Sequence, residues 1–99
     1  MLVVIKKDNS TEPFQNHKIK VAVQKAAFRC DVNLTDEELD QVAQEVYHRV
    51  SNQSEVRVSD LHELVIAVLA FFHHKTVAQA YAEYRYYKTN YAHTLSLIH

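Results

Sequence analysis

Glycine is missing from all 99 residues. A P-loop and a dinucleotide-binding fingerprint both need glycine where the backbone closes on a phosphate, so this chain can build neither. A nucleophile elbow sits on a similarly strained turn and is equally hard to make. Proline occurs once, so the Gly/Pro-rich composition of long flexible loops is missing too. Cysteine also occurs once, as Cys30, which excludes an internal disulfide. A free cysteine behaves as a small hydrophobe, so Cys30 is expected in the core. It fits a reducing cytoplasm, the expected location. The longest apolar run, Leu64–Phe72, is about half of the ~20 residues a bilayer span needs. No basic start precedes an apolar stretch and a small-residue cleavage site, so no secretory signal is read.

What remains is the material of one modest core. Apolar residues make up 47% of the chain, which argues against disorder. Its length predicts one domain. The net charge of −1 hides a division along the chain. Residues 1–29 hold Lys6, Lys7, Lys18, Lys20, Lys25 and Arg29 against Asp8 and Glu12, a local +4. Residues 30–63 hold nine acids against Arg49 and Arg57, a local −7. The basic third is too small and mixed for nonspecific nucleic-acid binding, which is not expected.

Leu2-Val3-Val4-Ile5 is β-branched and apolar and reads as a buried strand. Lys6 to Ser10 supply a polar turn, in which Asp8 and Asn9 tolerate left-handed backbone. Thr11 to Phe14 return as a second strand, with Pro13 placing it at an edge. Asn16 reads as the cap of a helix carrying Ile19, Ala22, Val23, Ala26, Ala27 and Cys30 at helical spacing. Thr35-Asp36-Glu37-Glu38 is a capping box ahead of the stripe Leu39, Val42, Ala43, Val46, Tyr47 and Val50. Glu55 to Val58 alternate as a third short strand. Ser59 reads as the cap of a third helix, striped with Leu61, Leu64, Val65, Val68, Leu69 and Phe72. Ile66, Ala70 and Phe71 widen that stripe, which predicts the most buried helix, closed by His73-His74-Lys75. A last helix is expected from about Val77 to Tyr91, with a tail over 93–99 that frays. The whole is an α+β domain over residues 1–92: a four-helix bundle capped by a small N-terminal β-hairpin or three-stranded mixed sheet.

The chemistry-bearing residues sort quickly. Seven histidines are present, but none pairs with another at i+4 and no cysteine or acid completes a zinc spacing, so no metal site is expected. Glu37, Glu38 and Asp40 lie in a first helical turn, where the dipole accounts for them. No activated serine or cysteine is apparent, and no catalysis by the domain itself is expected. The tyrosines of the last helix, from Tyr81 to Tyr91, read as packing residues with one self-association face. The basic set is less easily dismissed. Lys18 lies in a first turn, where a cation opposes the macrodipole and has no local structural reason. His62 is expected in the first turn of the third helix, beside backbone N–H groups free to meet an anion.

Val4-Ile5-Lys6-Lys7-Asp8-Asn9-Ser10-Thr11-Glu12-Pro13-Phe14, followed by Lys18-Ile19, resembles the opening of the ATP-cone family. Ser59-Asp60-Leu61-His62-Glu63-Leu64-Val65 is similar to that family's third-helix start, and Ala78 to Arg85 to its closing helix. The likeness spans about residues 3–88. It implies an overall-activity switch of ribonucleotide reductase, in which ATP permits turnover and dATP stops it. It implies ATP or dATP as ligand, with Mg, and a reductase catalytic domain or subunit as partner. By the same likeness Val4 and Ile5 would line the base and ribose, and Ile19 and Val58 would belong to the nucleotide site. Lys6, Lys7 and Lys18 would meet phosphates, Glu12 would accept from base or sugar, and His62 would touch phosphate or sugar. Arg85 or Lys88 would close the site. Two positions depart from the family's pattern: Asn9 replaces a glycine, and Val58 stands where some members carry a threonine that contacts nucleotide.

A chain of this length has no room for a reductase barrel, so a front domain is expected. The parent is read as an anaerobic, glycyl-radical large subunit, from the tyrosine-rich last helix. Two other readings stand beside it. One is a cone that has lost its nucleotide and serves as a helical oligomerisation module. The other is the cone of a reductase-gene repressor, which carries a Cys-rich zinc ribbon that one cysteine does not supply.

Overall fold

The computed structural model describes residues 2–83. Strand β1 (Val3–Ile5) and strand β2 (Thr11–Pro13) form an antiparallel hairpin with Val4 opposite Glu12. The Phe14 amide donates to the Leu2 carbonyl at 3.0 Å and the Lys6 amide to Ser10 at 2.8 Å. Hydrogen-bonded and open pairs alternate along such a ladder. Pro13, opposite Val3, therefore falls on an open pair, where its missing N–H leaves no gap. In the turn, the Asn9 amide donates to the Lys6 carbonyl at 2.9 Å, and Asn9 takes a φ of 69°. The Asp8 carboxylate accepts from the Ser10 hydroxyl at 2.6 Å and amide at 2.9 Å, which holds its carboxyl below the usual range.

Helices α1 (Asn16–Arg29) and α2 (Asp36–Val50) lead to β3 (Glu55–Arg57), which pairs parallel to β1. The sheet order β2-β1-β3 makes β1 the centre and leaves Pro13 on an edge strand, as expected. Helix α3 (Val58–Phe71) follows β3 directly, and α4 is helical over 75–83. Mixed sheet and four helices give the expected α+β architecture. Val23, Val42, Val46, Val65, Val68 and Leu69 are fully enclosed between the helices, and Val4 and Val56 bring the sheet into the same core. Each such side chain contributes about 1.5–3 kcal/mol by leaving water. No helix among the described residues is long and apolar enough to cross a membrane.

The helix ends divide into expected and unexpected. The Thr35 hydroxyl accepts from the Glu38 amide at 3.1 Å, and the Glu38 carboxylate accepts from the Thr35 amide at 3.0 Å, completing the capping box. Asn16, expected as a cap, is instead the first residue of α1, and Gln15 precedes it without a side-chain cap. Because the Phe14 amide is tied to the sheet, the chain turns into helix at once. Ser59 is likewise inside α3: Arg57 is still paired in β3 and Val58, expected in the strand, already opens the helix.

His73-His74-Lys75 does not close α3 with cations. His73 takes a φ of 66°; its amide donates to Ala70 at 3.0 Å and that of His74 to Leu69 at 2.8 Å, a Schellman ending. The His74 carbonyl then accepts from the Ala78 amide at 2.9 Å, so Lys75 belongs to α4. Helix α1 ends the same way on Asp31, with φ 61°.

Helix α3 is not the most buried. It encloses four side chains against five in α2. Its sheet and helix neighbours meet one stripe, so Ile66 is half-buried while Ala70 and Phe71 face outward. The Phe71 ring lies 5.2 Å from the Arg49 guanidinium carbon. Tyr47 is exposed beside Phe14, with ring centroids 5.5 Å apart, and Cys30 is half-buried at the end of α1. The rest of the expected last helix and the tail over 93–99 lie outside the described residues.

Candidate functional site

A cleft of about 160 Å³ opens where the hairpin meets the starts of α1 and α3. Its floor is apolar: Val4 from β1, Ile19 and Ala22 from α1, Val58 and Leu61 from α3. Strand alternation sends Val4 inward, and the helical spacing of Lys18, Ile19 and Ala22 puts all three on the face of α1 that meets the hairpin. Tyr81 from α4 and His62 from α3 complete the wall, their rings 5.9 Å apart in an edge-on contact. Ligand sites are typically ~300–1,000 Å³. This volume therefore encloses one moiety of a larger ligand, and the remainder lies at the mouth.

The mouth is charged. The Lys18 ammonium lies 2.9 Å and the Lys6 ammonium 3.3 Å from the same Glu12 carboxylate oxygen, Oε2. Lys6 leaves the end of β1, Glu12 pairs with Val4 in the ladder, and Lys18 is the third residue of α1. Both lysine side chains stay about half exposed. The Lys18 hydrogen bond first, then that from Lys6, holds the Glu12 carboxyl below the usual glutamate range. The first turn of α1 contains no acid and no capping side chain, so nothing on that helix offsets its positive end.

Val4, Glu12, Lys18, Ile19, Val58 and His62 therefore meet at one cleft, with Lys6 joined through Glu12. Ile5 does not join them. It points to the other face of β1 and lines a separate groove with Arg49, Arg57 and Asp60. Lys7 lies in the turn, exposed, away from both the cleft lining and the Glu12 pair. His62 is in the second turn of α3, because that helix starts at Val58. Arg85 and Lys88 lie outside the described residues. Phe14, Leu61 and Tyr81 also line the cleft, although in the sequence they read as strand, stripe and packing residues and not as part of the site. All three stand within the family-like segments, which is the available signal.

Among the described residues no cluster of three metal-ligating side chains occurs. The cleft instead offers an apolar slot lined by the rings of Phe14, His62 and Tyr81, with the Lys6 and Lys18 ammonium groups held beside it on Glu12. No individually curated protein matches the chain. The family model for the ATP cone domain matches residues 2–90. With that match over nearly its whole length, the chain belongs to the ATP-cone family, whose domains bind ATP or dATP as allosteric effectors.

Proposed function

We propose that this domain reads ATP against dATP and thereby sets the overall activity of a ribonucleotide reductase, of the anaerobic, glycyl-radical class, without a catalytic site of its own. The observation that carries the reading is the convergence of the Lys6 and Lys18 ammonium groups at the mouth of an apolar cleft. In this reading the base enters between Val4, Val58 and Tyr81, and the triphosphate replaces the carboxylate between the lysines. Charge-assisted contacts of this kind are the strong ones. Mg rides on the phosphates. Arg85 or Lys88 closes the site, and the regulated partner is the reductase catalytic domain or subunit, with self-association of the helices as the output.

ATP and dATP differ by one hydroxyl. A single hydrogen bond supplies only about 0.5–1.5 kcal/mol. Such a difference becomes regulation only when it biases an equilibrium between two arrangements of the assembly.

Lys6→Ala and Lys18→Ala are each expected to weaken ATP binding at least about tenfold, or ~1.4 kcal/mol, while leaving the fold intact by circular dichroism. Unchanged affinity of both variants in calorimetric titration rejects the assignment. A second reading rests on Val58, whose apolar side chain replaces a hydroxyl at the cleft: the cone is then nucleotide-blind and only oligomerises. Melting with and without ATP separates the two, since a ligand that binds the folded state alone raises the melting temperature.

A further inference from the structure

Glu12 is the least expected member of a site for a polyanion. It places a negative charge where a phosphate would go. One carboxylate oxygen takes both ammonium groups, at 2.9 Å and 3.3 Å, which is how a non-bridging phosphate oxygen would be held. The carboxylate is also local to its partners in the fold: Glu12 is fixed by the ladder opposite Val4, so it is present at high effective concentration.

Resting on the nucleotide reading above, we propose that Glu12 is a built-in stand-in for phosphate that makes the site selective for nucleotides over bare polyphosphates and other polyanions. Any polyanion must displace the carboxylate from Lys6 and Lys18. A bare polyphosphate has no neutral donor group and repels a carboxylate along its whole length, so the displaced carboxylate is left beside it as an uncompensated like charge. A nucleotide places its ribose hydroxyls and exocyclic amine at the cleft that Glu12 also lines. Those groups are donors, and the released carboxylate accepts from one of them. The displacement is thus offset for a nucleotide and not for phosphate alone.

The displaced contacts are exposed ion pairs, each worth little alone, so the effect is read as a ratio of affinities. Calorimetric titration of the intact chain and of Glu12→Gln with ATP and with inorganic tripolyphosphate tests it. Glutamine keeps the size and the backbone pairing but cannot hold two ammonium groups by charge. Glu12→Gln is expected to bind tripolyphosphate at least about threefold more tightly than the unaltered chain and ATP no more tightly. Glu12→Asp, which keeps the charge on a shorter stem, is expected to exclude tripolyphosphate more than Glu12→Gln does. In a chain that binds ATP, tripolyphosphate affinity that is unchanged or lower in Glu12→Gln, or ATP affinity that rises as much as that for tripolyphosphate, overturns the stand-in role. Failure of the unaltered chain to bind ATP at all instead overturns the nucleotide reading on which it rests.

Discussion

Asn9, Asp31 and His73 hold φ values of 69°, 61° and 66° in a chain without glycine. A left-handed L-residue costs about 1–2 kcal/mol, less for Asn and Asp, whose short polar side chains bond locally. His73 has no such relief, yet the Schellman ending of α3 fixes it there. His73→Gly is therefore expected to stabilise the domain by about 0.5–1 kcal/mol, after glycine's larger loss of unfolded-state freedom is subtracted. The measure is the urea midpoint at unchanged slope; a midpoint that does not rise means that His73 is unstrained. Asn9→Gly should change stability by less than His73→Gly. The same scale shows what single residues reveal unaided. Asn9 was readable because a tight hairpin without glycine leaves Asn as the best left-handed residue. Lys18 was readable because a lysine at a helix start lacks a local reason. Ile5 was not, since Val4 and Ile5 are equally apolar and only the packed sheet decides which faces the cleft.

At the scale of elements, the starts of α1, α2 and α3 look alike in sequence and are built differently. Thr35 and Glu38 cap α2 reciprocally, whereas α1 and α3 begin without a side-chain cap because each is fed directly by a segment still bonded to the sheet. Thr35→Ala should therefore destabilise by about 1 kcal/mol, and Asn16→Ala should stay within about 0.5 kcal/mol of the unaltered chain. Chemical denaturation of the two variants checks the contrast. The Thr35 amide holds the Glu38 carboxyl below its ordinary range, aided by His74. Its contribution to stability is complete above the unfolded-state value near pH 4.3. It is lost as pH falls through the lower folded-state value. Glu38→Gln keeps an acceptor for the amide but cannot titrate, so its melting temperature should fall less steeply than that of the unaltered chain below about pH 4.3. Helix identity and the hairpin were legible from periodicity and turn residues. The starts of α1 and α3 were not, because sheet pairing decided where the helix begins.

Over the whole molecule, the cleft draws residues from β1, β2, α1, α3 and α4, while α2 contributes only to the core behind it. The fully enclosed side chains at the centre of the core are therefore not shared with the cleft. Leu69 is fully enclosed and does not line the cleft. Leu69→Ala should cost about 2–5 kcal/mol, a large part of the ~5–15 kcal/mol that holds a domain folded. A ligand at a hundred times its Kd returns about 2.7 kcal/mol to the folded state wherever the packing damage lies. ATP is accordingly expected to stabilise Leu69→Ala and the unaltered chain by the same free energy, measured by urea denaturation with one ATP concentration for both, a hundred times the Kd of the unaltered chain, and the two proteins should show the same Kd. Equal Kd values mean that the hairpin and helix starts present a preformed site that core loosening does not reach. A Kd that weakens in Leu69→Ala would place the cleft's closure under the control of core packing, because the lining side chains Ile19 and Leu61 belong to the same buried cluster as Leu69.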